Sequence, residues 1–478
     1  LKTIDTAKFS VMLLIYILMQ PVLDVLTGWQ TRLMPHFGLT VGVVVRAIML
    51  VVILYFIYLS IKQRSRPIDR YVQIYFILLA VVLLINLIVN KLNKPVFATF
   101  TEVSALFKSV HYLVILIGFY YVFCNLTKNQ IQQLLPRIVY WAEMIINAVM
   151  LLAAVTRTGF STYPQGKLGQ TGWFNAGNEL GAILAITFPL VILYAFQSSQ
   201  QTGRYWSWLG VALAAVSVIM VGTKSCFYGM IIGLVFAFIY QFIFYKRKAN
   251  THKIKRNLLI NFMLLCLITL GIAGTYPLSP VRNNGVIQAK IIKENQINKL
   301  RLLHRKKHHK KLDHYEKFLL KNQELGNPLL AKLLSGRTNY FVFNSQNFKK
   351  APLLQKLFGM GYGSNYRKHP RTVEMDWFDL FFQFGIIGFV IIILPLLVAI
   401  LYLVFEFFRY FTSDMVQDNL LFYVAVAIGI FMSLLAGHVL NAPAVSIYFS
   451  MIVAYLVKQP AINRRLFNVN NKTINNLL

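Results

Sequence analysis

The stretch "ELGAILAITFPLVILYAFQ", residues 179–197, carries one charged residue in 19. As a helix it is long enough to cross a hydrocarbon core about 30 Å thick. Comparable runs recur outward from it in both directions, at roughly 9–27, 41–61, 72–90, 98–125, 136–156, 206–222, 226–245, 257–276, 378–406, 419–437 and 442–457, which with the first makes twelve. With 57% of its residues apolar and 13% charged, the chain reads as an all-α, polytopic helical membrane protein of about 12 transmembrane helices. A membrane barrel would alternate in segments of about 10 residues, and no such pattern is present. The first run lacks a small-residue cleavage site and nothing soluble follows it, so it reads as a span rather than a signal peptide. Cys124, Cys226 and Cys266 fall in or beside apolar runs without metal or disulfide spacing.

The formal net charge is +32, which in a soluble chain would invite a nucleic-acid reading. Here the charge lies mostly in loops. "KQRSRPIDR" after the second span has four basic residues, "KRKANTHKIKR" after the eighth has six and the tail after 457 has four. All fall on one face, which the positive-inside rule makes cytoplasmic, with both termini on that side. The expected organisation is then 1–276, a membrane domain with spans one to nine; 277–377, a basic and mostly helical extracytoplasmic loop carrying site residues; 378–457, spans ten to twelve; and 458–478, a cytoplasmic tail. The long loop has 20 basic residues against six acidic ones, but loops of that length escape the rule. Ser335 is placed to cap a helix starting near Arg337. The run "HRKKHHKK" at 304–311 crowds like charges too closely for a metal site and suits contact with anionic lipid or an acidic glycan.

Charged groups inside spans are expensive and mark functional hypotheses. Asp24, Arg46, Glu102, Glu179, Lys224, Asp379 and His438 fall near the outer ends of their spans, and Glu143 near mid-depth. Together they suggest a polar cavity open at headgroup depth. A transporter would place its site near the midplane within matched, broken repeats, and no internal repeat is evident.

"GWFNAGNELGAILAITFPLVI" (172–192), "VGTKSCFYGMIIGL" (221–234), "SGRTNYF" (335–341), "APLLQKLFGMGYG" (351–363) and "EMDWFDLFFQFGIIG" (374–388) resemble, in that order, the O-antigen ligase and polysaccharide polymerase superfamily. The N-terminal "QPVLDVLTG" is similar to the Gram-positive-type branch. The resemblance implies a bacterial plasma-membrane glycosyltransferase with its active site facing outside. Such enzymes take undecaprenyl-pyrophosphate-linked glycans and transfer them to a hydroxyl, with inversion and without metal or other cofactor. Its partners would be that donor, a glycan acceptor, membrane lipids and polysaccharide assembly proteins; nucleic acid is not among them. The first expectation is a polymerase that joins repeat units into a capsule, exopolysaccharide or wall glycan. Alternatives are a ligase serving a lipid, protein or wall acceptor, a flippase or transporter, and a non-catalytic scaffold.

By the same resemblance Arg337 is the pyrophosphate ligand, and Lys224 stands where the family has an arginine, offering a point charge instead of a fork. Glu374 occupies the position of the ligases' histidine base. It could act as base, hold a sugar hydroxyl or pair with Arg337; His369 is another candidate base. Trp173, Asn175, Asn178, Glu179, Lys167 and Asp376 complete the expected substrate contacts. Asn178 could equally cap the helix that follows, with Glu179 in its first turn.

Overall fold

The computed structural model describes residues 6–35, 39–64, 66–126, 128–163, 166–287, 337–366 and 369–475. Its helices are α1 (Thr6–Leu18), α2 (Gln20–Leu33), α3 (Val41–Arg64), α4 (Pro67–Asn93), α5 (Thr99–Asn125), α6 (Lys128–Val155), α7 (Gly177–Thr202), α8 (Ser207–Val221), α9 (Lys224–Lys248), α10 (His252–Thr275), α11 (Arg337–Lys350), α12 (Leu353–Phe358), α13 (Asp376–Arg409), α14 (Asp414–Asp418), α15 (Leu420–Leu435) and α16 (Pro443–Asn475). Among the described residues the sole β pairing is an isolated bridge between Ser161 and Gln170. Eight helices are long and apolar enough to span a membrane, and a ninth span forms if α1 and α2 count together. Three shorter apolar helices, 207–221, 420–435 and 443–459, complete the bundle. The chain is an all-α polytopic membrane protein.

Two expected spans are broken. The run at 9–27 bends by 44° between α1 and α2, where Pro21 enters the first turn of α2 and brings no backbone N–H. The run at 378–406 is interrupted at Gly385 (φ 68°, ψ −168°). A break at membrane depth strands backbone carbonyls that lipid cannot satisfy. Here the amides of the glycine-rich turn do so: Met360 N donates to Phe382 O (2.9 Å) and Gly361 N to Gln383 O (3.1 Å), while the Asn86 side chain donates to Gln383 O at 2.9 Å. Gly359 (φ 95°) sits so close that a Cβ there would lie 1.9 Å from Gln383 O.

The same turn is held from the other side by a buried ion pair. Lys94, just beyond α4, bonds Glu102 of α5 and also donates to Tyr362 O at 2.8 Å. The other Glu102 oxygen accepts Tyr362 N at 2.8 Å. This long-range seating fixes the approach of the extramembrane segment to the bundle.

The bundle is layered about α7, of which 89% of the most apolar window is buried, against 22% for α4. Val51, Ile77, Leu84, Leu267, Leu270 and Leu401 face outward, as an apolar solvent requires. Helix α5 packs along α16; His111 Nδ1 meets Ser446 Oγ at 2.8 Å and Ser450 donates to Tyr112 O at 2.9 Å.

Of the expected loop 277–377, residue 276 opens a 3-10 turn (Tyr276–Leu278), and the helix that holds it continues to Ile287. The basic run 304–311 and Ser335 lie outside the described residues.

Candidate functional site

The polar mouth before α7 is folded back on itself. Phe160 N bonds Gly172 O (2.6 Å), Thr171 N bonds Phe160 O (2.8 Å) and Gln170 N bonds Met220 O at the end of α8 (2.9 Å). Asn284 clamps it from below, accepting Leu168 N at 2.6 Å while its amide donates to Leu168 O (2.6 Å) and Gly222 O (3.0 Å). These bonds deliver Lys167 to the start of α9, whose first residue is Lys224. Lys167 Nζ lies 5.0 Å from the centre of the Tyr163 ring.

Lys167 lies within electrostatic reach of Lys224 and Arg337. Burial first, and then the positive charges of Lys224 and Arg337, push the Lys167 ammonium below the usual lysine range. Burial raises the Tyr163 phenol, against the opposing pull of Arg337. Like charges gathered in a half-buried setting repel, and helix α9 adds the positive end of its dipole at Lys224. Within the described residues, buried Arg337 Nε and Thr338 Oγ1 have no hydrogen-bond partner. Arg337 Nη2 stands 3.7 Å from Glu374 Oε2, with the two side chains 14% and 47% exposed. Excess positive charge with an unused buried donor is the chemistry that an anion requires.

Glu374 owes its position to its backbone. It has φ +64°, a conformation that costs a non-glycine residue free energy and persists where its surroundings impose it. Asp379 imposes it by accepting Val373 N at 2.7 Å. Asp376 is buried, and its two oxygens accept the amides of His438 (3.0 Å), Val439 (2.8 Å) and Leu440 (2.8 Å). The sequence placed Asp376 against substrate; in the structure its oxygens are committed to holding the α15–α16 loop beside Glu374.

A cavity of about 280 Å³ lies next to this centre, lined among others by Asp24, Arg46, Lys108, Phe174, Asn175 and Glu179. Arg46 donates to Asp24 at 2.6 Å and to Gln20 at 3.0 Å. Asn175 and Asn178 are exposed and Glu179 is half-buried. The residue that caps α7 is Ala176, not Asn178; Glu179 does sit in the first turn. Trp173 turns from the cavity, donating to Thr158 at 2.9 Å and meeting Trp29 edge-on at 5.7 Å. His369 is exposed, and the structure does not bring it to the cationic group.

The sequence matches the family described as O-antigen ligase like membrane protein over residues 6–462. The chain belongs to that family. A search of curated proteins finds no match. Membership in the O-antigen ligase-like family supports membrane glycan transfer, with a lipid-linked glycan and an acceptor as substrates. Asn284, Tyr163 and Lys108 escaped the sequence reading, whereas Asp24, Arg46 and His438 were read as members of an outer polar cavity without individual roles. Their charge or polarity was visible, but their convergence depends on contacts between distant segments. A further cavity, about 320 Å³, lies at the opposite end of α7 among Gln132, Gln133, Gln197, Gln200 and Gln201. Its cation, Lys248, is paired with Asp418 at 3.1 Å.

Proposed function

We propose that the protein polymerises undecaprenyl-pyrophosphate-linked repeat units into a cell-surface polysaccharide at the outer face of a bacterial plasma membrane, with both termini cytoplasmic. The observation that carries this is the placing of Lys167 within electrostatic reach of Lys224 and Arg337, with the unused Arg337 Nε donor. Pyrophosphate gathers negative charge as it leaves, and prepositioned cations stabilise that charge most where it develops. Arg337 contributes a fork and the lysines point charges. In this reading Glu374 sets the direction of the Arg337 guanidinium, and Asn175, Asn178 and Glu179 contact sugar. Asp376 acts by positioning the loop rather than by touching substrate. Transfer proceeds by direct displacement with inversion at the anomeric carbon. Basic groups in short loops support the orientation.

The test is reconstitution of the full chain in bilayer discs with a defined undecaprenyl-pyrophosphate repeat unit. A product ladder with release of undecaprenyl pyrophosphate, both abolished in Arg337→Ala, is expected. Release only when a foreign lipid, peptide or wall acceptor is added would make it a ligase. Movement of intact donor across the bilayer without release would make it a transporter.

A further inference from the structure

The cationic group and the 280 Å³ cavity are joined by one loop, and that loop presents His438. Its amide is fixed by Asp376, its φ is +62°, and its neighbour Gly437 backs so closely onto Glu374 that a Cβ at Gly437 would lie 2.5 Å from the Glu374 carbonyl oxygen. On the other side, His438 Nε2 lies 3.5 Å from Asn178 Nδ2, and the imidazole is within electrostatic reach of Glu179, a wall of the cavity. In the neutral imidazole one ring nitrogen carries a lone pair, and the tautomer decides which. The backbone is thus held in a costly conformation that sets the imidazole beside Asn178 and within electrostatic reach of the cavity wall.

Resting on the reading of glycan transfer above, we propose that the cavity between α2, α3, α5 and α7 seats the sugar of the acceptor, and that His438 takes the proton of its attacking hydroxyl. The acceptor O–H bond breaks, with the proton passing to the lone-pair nitrogen of the His438 ring. The oxygen's electron pair forms the new bond to the donor's anomeric carbon. The bond from that carbon to the carrier's pyrophosphate breaks, and undecaprenyl pyrophosphate leaves with the electron pair toward Lys167, Lys224 and Arg337. The imidazolium then returns its proton to water.

The surroundings of the ring fit this role. Glu179 faces it from α7 and Asp376 from α13, both able to stabilise an imidazolium. Arg46, Asp24 and Lys108 stand behind Glu179. The Asn175 carboxamide and the Phe100, Phe107 and Phe174 rings of the cavity match the hydroxyl edges and apolar faces of a sugar. Glu374 faces a guanidinium on the donor side, where a carboxylate serves the cation.

The test uses the full chain in bilayer discs, with His438→Asn and His438→Gly. Both replacements tolerate a positive φ, so the loop keeps its shape. Turnover, read as release of undecaprenyl pyrophosphate, should fall about 100-fold, while binding of a fluorescent lipid-linked donor stays unchanged. Added imidazole should restore part of the turnover in His438→Gly. Variants with near wild-type turnover would overturn the assignment of His438 while leaving glycan transfer in place. Loss of donor binding in both variants, without imidazole rescue, would reduce His438 to a structural role. A wild type that releases no carrier would overturn the functional reading itself.

Discussion

Arg337 Nη2 and Glu374 Oε2 face each other at 3.7 Å, near enough for attraction and too far for a hydrogen bond. Among the described residues the guanidinium Nε is left without a partner, and the carboxylate restrains the swing of the group. Arg337→Ala is expected to lower turnover about 100- to 1000-fold and to weaken donor binding. Arg337→Lys should recover little, because one ammonium cannot reproduce a fork. Turnover and donor-binding measurements on both variants check this.

Lys167 gives a pH signature. Its charged form is disfavoured in the free protein by burial and by Lys224 and Arg337, so a bound pyrophosphate should restore the charge by taking up a proton. Donor affinity should accordingly fall as pH rises, with a midpoint below that of an ordinary lysine. In stability the sign is opposite: the unfolded chain holds this proton more tightly, so the group's penalty is full at low pH and fades as pH rises through the folded pKa. Lys167→Arg should carry tight binding to higher pH, read by titrating inorganic pyrophosphate across a pH series.

Asp376 binds three backbone amides of the α15–α16 loop. Asp376→Asn keeps one acceptor oxygen and turns an N–H toward the others, a change expected to cost about 2 kcal/mol. Asp376→Ala should cost more. Thermal unfolding in detergent should show the graded loss, and turnover should drop while affinity for pyrophosphate holds.

The Lys94–Glu102 pair is buried to 0% and 2% side-chain exposure. Removing one partner leaves the other's charge uncompensated, so Lys94→Met or Glu102→Gln alone should destabilise by about 3–5 kcal/mol. The double variant should cost clearly less than the sum of the two, which a double-mutant cycle on unfolding midpoints would reveal.

Gly359→Ala places a methyl where Gln383 O already stands. The turn cannot retreat without releasing the carbonyls at the α13 break, so this small change is expected to abolish properly folded protein, assayed by monodispersity after extraction. The exposed Gly203, which also has a positive φ but open space around it, should tolerate alanine far better.

The apolar runs made the helices legible, because length and composition alone decide whether a segment can span a bilayer. The ends of those helices were legible where local chemistry acts, as at Glu179 in the first turn of α7. The breaks were not. Pro21 was present at the bend in the first run, yet a proline near a helix start is also compatible with an unbroken span. Gly385 looked like any glycine in an apolar run until the turn at Met360 and Gly361 supplied the missing donors. The site divided the same way: Arg337 and Glu374 were visible through their motifs, whereas Arg46 finds Asp24 across 22 residues and His438 finds Asn178 across 260. Nothing in the local pattern encodes such meetings.

The pairing of α5 with α16 also sets a timetable for biosynthesis. Ser446 and Ser450, the partners of His111 and the Tyr112 carbonyl, emerge from the ribosome more than 300 residues after α5. Throughout that interval a nascent chain carries a helix with polar groups that its final neighbour has yet to cover. Quality control in the membrane therefore has a natural checkpoint, since a chain that stalls before Pro443 displays an imidazole and unsealed seams that a finished molecule conceals.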